Sequence, residues 1–230
     1  MSKKIKRAGA TPEPAPEQPD RGQQTVDWIA KYRRQVIGAL AAVIVLAAGV
    51  WITVQYQRNK EAQAERSLNE ARVAAQSGNL PLAASDLSRL VASHGGTTAA
   101  DEAIILLAQV RLIQDQPSLA AQELRGALSG GLESQFRAPA HGLLGTAEEQ
   151  LGNMAAAGEA YERAADESWY TFLKAQYLSD AGRVYWAAGD TTRALEAYER
   201  VLSDFEDSPS STEVRVRLGE LRAAIGAARG

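Results

Sequence analysis

The stretch Ala187–Phe205, "AAGDTTRALEAYERVLSDF", decides how the chain is read. It places Gly189 ahead of Ala194 and Tyr198, and the same skeleton returns upstream at a fixed offset of 37 residues. A small residue recurs at Ala71, Ala108, Gly145 and Gly182, and an alanine at Ala83, Ala120, Ala157 and Ala194. A large residue recurs at Leu87, Leu124, Tyr161 and Tyr198, and a fourth column reads Leu90, Ala127, Ala164 and Val201. Turn residues separate the halves of each copy: Gly78-Asn79, Asp115, Gly152-Asn153 and Gly189-Asp190. One alanine column in an alanine-rich chain carries little. Four columns sharing one period, with turns between them, define a repeat, and repeats are sought before individual sites.

The columns have a packing rationale. Small residues let helix A and helix B of a pair approach closely, and the large residue fills the space beside them. A lone pair cannot cover its apolar face, so copies stack into a continuous core whose open end needs a cap. The segment "SSTEVRVRLGELRAAIGAA" after Pro209 suits that role through Val214, Val216, Leu218, Leu221 and Ile225, with Ser210 or Ser211 as its N-cap. The predicted class is all-α: an N-terminal transmembrane helix followed by a helical solenoid of four helix pairs plus a capping helix.

Working toward the N-terminus, no charge occurs from Gln35 to Gln57. The centre of this run, Val36–Val54, has 19 residues, enough at about 1.5 Å each to cross roughly 30 Å of hydrocarbon. Trp28 and Tyr32 stand on one side and Trp51 and Tyr56 near the other, where amphipathic rings favour the membrane interface. Residues 1–34 carry a net charge of +4 and residues 58–230 one of −7, which orients the short tail to the cytoplasm. The run is long for a signal-peptide core and follows a charge-bearing region of 34 residues, so an uncleaved anchor is expected. Residues 1–26, with "TPEPAPEQPD", read as a disordered cytoplasmic tail, 27–57 as juxtamembrane segment and span, and 58–230 as the repeat domain.

The overall net charge of −3 argues against nucleic acid, whose binders carry basic patches. With no cysteine there are no disulfides, thiolate zinc sites, thiol nucleophile or lipid-attachment site. His94 and His141 lack the convergent partners of a metal site, and both read as structural. Gly130-Gly131 lacks the strand, helix and lysine setting of a phosphate loop and reads as a helix stop. Glu148-Glu149 reads as a solvated face, and Trp169 and Tyr170 as packing between copies. No cofactor, metal or catalytic residue is expected.

The segment "DAGRVYWAAGDTTRALEAYERVL", through Gly182, Tyr185, Ala194 and Tyr198, resembles the tetratricopeptide repeat. The period is longer than that repeat's usual 34, and the Tyr185 position is Ala74, Arg111 and Glu148 in the other copies. The whole order, a short tail, "TVDWIAKYRRQVIG", one span and helical repeats from "YQRNKEAQAERSLNEAR", resembles the ancillary Sec-translocon subunit family of bacteria. That resemblance implies an inner-membrane protein with a periplasmic repeat domain. Its implied partners are secretion-channel subunits, periplasmic chaperones or exported clients, with a scaffold for cell-envelope or division machinery as the alternative. Repeats of this type bind along the inner face of helix A. There the register places one row of Arg72, Gln109, Thr146 and Arg183 and a second containing Glu149 and Trp186, with Gln176 nearby. Arg183, Trp186 and Gln176 are candidates to anchor an extended peptide, and Trp186 is read equally as core between copies. The first row has no asparagine, so a clamp for acidic C-termini is not expected.

Overall fold

A computed structural model describes residues 33–229. The tail at 1–26 and the interfacial positions Trp28 and Tyr32 lie outside the described residues. Helix α1 is Arg33–Gln76, and the chain divides into two units between Gln55 and Tyr56. In the first unit Ile37, Leu40, Val43 and Leu46 are all exposed, and the helix is long and apolar enough to cross a membrane.

The second unit stacks helix pairs. The part of α1 from Tyr56 pairs with α2 (Leu80–His94), α3 (Thr98–Ile113) with α4 (Pro117–Ser129), α5 (Ser134–Gln150) with α6 (Met154–Glu167), and α7 (Thr171–Ala187) with α8 (Thr191–Asp204). Helix α9 (Ser210–Arg229) follows and packs on both α7 and α8. No strand occurs among the described residues. Each turn inside a pair puts one residue in the left-handed region: Gly78 (φ 80°), Asp115 (57°), Gly152 (80°) and Gly189 (81°). Glycine meets that requirement without a Cβ penalty, and aspartate is among the few other residues that tolerate it. Asn79 and Asp190 then cap α2 and α8, their side chains accepting from the Leu82 amide at 3.3 Å and the Arg193 amide at 3.0 Å.

The repeat columns are the core. The first three columns are buried in every copy, and in the fourth only Ala127 is half-buried. The first and third columns also compensate in size. A Cβ added to Gly145 falls 2.7 Å from the Tyr161 ring, and one added to Gly182 falls 2.5 Å from the Tyr198 ring. The copies with tyrosine therefore need glycine opposite, whereas Leu87 and Leu124 leave room for Ala71 and Ala108. Gly158 repeats this between pairs, because an added Cβ there would enter the Tyr185 ring.

Three expectations need correction. Val216 is 60% exposed, because the capping helix covers the last pair with Val214, Leu218 and Leu221 on one face. Trp169 and Tyr170 are 69% and 61% exposed: they sit in the short α6–α7 connection, and the Tyr170 ring lies beside the exposed Phe172 ring of α7, with centroids 5.9 Å apart. Glu148 is buried and Glu149 half-buried, because the first points from α5 toward α4 and the second toward α7, each onto an arginine.

Glu148 belongs to a column that helix B of one pair presents to the next helix A. Its members stand 23 residues apart and repeat with the period of 37: Arg125–Glu148, Glu162–Tyr185 and Glu199–Arg222. Tyr185 donates to Glu162 at 2.7 Å, and Arg222 bonds Glu199 at 2.7 Å. The first junction carries Ser88 and Arg111 in these positions. Arg111 turns instead to its own pair, donating to Gln116 Oε1 at 2.8 Å and facing Glu123 at 3.6 Å.

Candidate functional site

The concave-face candidates rest on α1, α3, α5 and α7, one from each repeat, because residues 37 apart share a helix position. The structure brings only some of them together. Gln176 and Arg183 line one cleft of about 360 Å³ between α7 and α9, with Asp180, Glu213 and Arg217. Trp186 is not part of it; the ring is half-buried against the core of the last two pairs, which is the second of its two expected roles. Arg72 lines a separate cleft of about 460 Å³ beside Glu61, Glu65 and Glu102, and is ion-paired to Glu102. Gln109 is exposed. Thr146 turns inward, donating to the Gly142 carbonyl at 3.2 Å and lying 3.2 Å from the Tyr161 hydroxyl.

Arg183 is held from both sides. Its two terminal nitrogens donate to the two oxygens of Glu149 at 2.6 and 2.8 Å, and Asp180 lies 3.6 Å away. Such a fork matches a carboxylate in both distance and plane, and it joins pair three to pair four. The Tyr161 hydroxyl also donates to Glu149 at 3.3 Å. The Arg183 hydrogen bonds hold the Glu149 carboxyl below its ordinary range against the opposing effect of burial. Asp180 is pushed up, chiefly by burial, with Arg183 pulling the other way. Tyr161 is pushed up to about 12 by burial. Across the cleft Arg217 donates to Glu213 at 2.8 Å. The site is thus a polar slot with two arginines and two carboxylates along its walls, and the exposed Gln176 amide is free to pair with a peptide main chain.

Sequence reading did not single out Asp180, Glu213 and Arg217, and it placed Glu149 in the second row and on a solvated face without naming its arginine partner. A signal for such partners exists. Opposite charges 34 residues apart recur at Glu149–Arg183, Glu159–Arg193 and Asp166–Arg200, one period less one helical turn. For the remaining chemistry, His141 is buried with its Nδ1 unpartnered, and the His94 Nδ1 lies 2.7 Å from Ser93 Oγ. Among the described residues no three His, Asp or Glu side chains are placed to hold a metal ion.

Known proteins agree with this architecture. Two crystal structures titled as those of MamA are similar in fold. One matches at a TM-score of 0.56 and 21% identity, over 68% of this chain and 84% of that one. The other matches at 0.58 and 20%, over 71% and 82%. No curated protein sequence matches this chain. Folds of this class generally serve as scaffolds that bind other proteins rather than as catalysts. With its repeat columns buried as the period requires, and with residues 27–223 matched by the family's profile, the chain belongs to the tetratricopeptide repeat-like domain family.

Proposed function

We propose that this protein is a non-catalytic scaffold anchored in the bacterial inner membrane, with its tail in the cytoplasm and its repeat domain in the periplasm. It serves as an accessory factor to the Sec translocon and to periplasmic chaperones during export. The observation that carries the reading is that the chain has both an uncharged, exposed apolar stretch of helix α1, Gln35–Gln57, and a helical-repeat domain that offers a polar cleft. The exposed aliphatic side chains of α1 need a lipid environment, since water penalises that much apolar surface. The basic tail and the resemblance to ancillary Sec-translocon subunits support the orientation and the partner. In the concave-face cleft, an extended partner segment pairs its main chain with Gln176 and presents a carboxylate or carbonyl to the arginines. Arg72, Gln109 and Thr146 hold the equivalent helix position in the earlier pairs but lie outside this cleft.

The test is a photoreactive side chain at Gln176, activated in intact membranes. Crosslinks to channel subunits, chaperones or exported chains are expected, and Arg183→Ala should reduce them with little loss of helicity. Crosslinks to envelope or division enzymes would replace this reading with the alternative scaffold. Protease added to the periplasmic side should digest the repeat domain and spare the tail; the reverse pattern refutes the orientation.

A further inference from the structure

A second surface lies on the opposite side of the stack, between the B helices of pairs one and two. There α2 and α4 border a groove of about 700 Å³ floored by α3. This lies within the roughly 300–1,000 Å³ typical of ligand-sized sites. Its floor is apolar: Val91, Ile104, Leu107 and Ala127 line it, and Val91, Ile104 and Ala127 remain partly exposed.

The groove is apolar because of particular side chains. The corresponding space at the next junction, 37 residues on, is a cleft of about 570 Å³ with polar and charged walls. Arg125 crosses it to Glu148, Arg137 to Glu167 with hydrogen bonds of 2.7 and 3.0 Å, and Arg163 and His141 also line it. One period earlier the equivalents of Arg125, Arg137, His141, Arg163 and Glu167 are Ser88, Ala100, Ile104, Gly126 and Gly130. Every straps-and-filler residue of the second junction is thus short or apolar at the first. Both ends are also glycine loops, Gly95-Gly96 and Gly130-Gly131, where the next junction has Leu132-Glu133 and Glu167-Ser168.

The groove's lining is acidic. Among the described residues its ionisable lining residues are Asp101, Glu123 and Glu133, three carboxylates against two cations at the margin: Arg111, which faces Glu123, and Lys60, which donates to the Gly95 carbonyl at 2.7 Å. Glu123 faces Arg111 with one oxygen, while its Oε2 has no hydrogen-bond partner. We propose that this groove binds a partner protein's peptide segment in which apolar side chains are flanked by lysine or arginine. The apolar side chains take the places that the arginine stems and His141 fill at the next junction. The flanking cation meets the acidic rim, where complementary charge selects the partner and its direction. This goes beyond the concave-face reading, because it uses different helices and the opposite chemistry.

The test uses the full chain in nanodiscs of zwitterionic lipid, with empty nanodiscs measuring partition into the bilayer. The probe is a short fluorescent peptide of leucines and alanines preceded by two lysines, compared with the same peptide preceded by two glutamates. The lysine peptide should bind at least about tenfold more tightly than the glutamate peptide, and increasing salt should narrow the gap. Gly126→Arg should weaken the lysine peptide by at least about tenfold while the protein melts as before. A Cβ at Gly126 meets nothing within 4 Å, and arginine favours a helix over glycine. Arg183→Ala should leave this binding unchanged. Equal binding of both peptides, binding no greater than to empty nanodiscs, or a Gly126→Arg protein that binds normally would each overturn the proposal. So would loss of binding in Arg183→Ala alone, which moves the peptide to the concave cleft, or a dimer that Gly126→Arg disperses, which makes a second copy the occupant.

Discussion

The first and second junctions of the stack share a backbone plan and differ in the side chains that line the gap between their B helices. At the second, Arg125–Glu148 and Arg137–Glu167 tie pair two to pair three and pair three to itself, and His141 fills the floor. At the first, Ser88 and Arg111 make no such tie, pair one being joined to pair two by Arg72–Glu102 instead, and glycine, alanine and isoleucine stand where the second junction has its charged lining. The comparison shows that buried columns make a repeat stack, whereas half-buried columns decide what each junction does. The strapped junctions hold charge internally, and the unstrapped one exposes apolar surface.

The largest effect expected from breaking this contrast is at Arg125. Arg125→Leu leaves the buried Glu148 carboxylate with the Asn153 amide at 2.9 Å and without its cation, and a buried polar group that loses its partner costs roughly 1–3 kcal/mol, more when it is charged. Ser88→Leu at the equivalent position should change stability by no more than about 0.5 kcal/mol. Denaturant midpoints check both, and Arg125→Leu/Glu148→Leu should recover most of the loss. If the double variant merely sums its single changes, the strap is not a coupled unit.

Next come two glycines, one at each kind of junction. Gly158→Val drives a side chain into the buried Tyr185 ring and should cost roughly 1–3 kcal/mol through overpacking. Gly126→Ala enters open space and should instead stabilise α4 by roughly 0.5–1 kcal/mol. Thermal melts should therefore move in opposite directions. A shared sign would mean that the two junctions are equally packed.

The smallest effect concerns pH. Burial lowers the pKa of His141, with Arg163 and Arg137 adding to the shift and Glu167 opposing it. The unfolded chain therefore takes up this proton first. His141 contributes stability that is fully present above the ordinary value of 6.5 and is lost as pH falls from there through the lower folded value. His141→Ile copies Ile104 of the first junction and should remove this part of the slope. Urea midpoints measured on either side of 6.5 decide it, and an unchanged slope assigns the pH dependence to other groups.

Much of the fold was legible in the sequence. The period of 37, the left-handed turn residues and the uncharged run are local or strictly periodic signals, and each follows from backbone sterics, packing volume or hydrocarbon thickness. Even the glycine-with-tyrosine pairing was visible as two columns, although its reason appears only when the ring is seen against the missing Cβ. The concave face was legible in register but not in state: the sequence placed Arg183 on it, and only the structure showed Glu149 holding that arginine. Glu148 and Trp169 were misread and Trp186 was left between two roles for one physical reason. Their burial depends on how far one helix pair is set against the next, a rotation and offset that many weak contacts decide together and that no single position encodes.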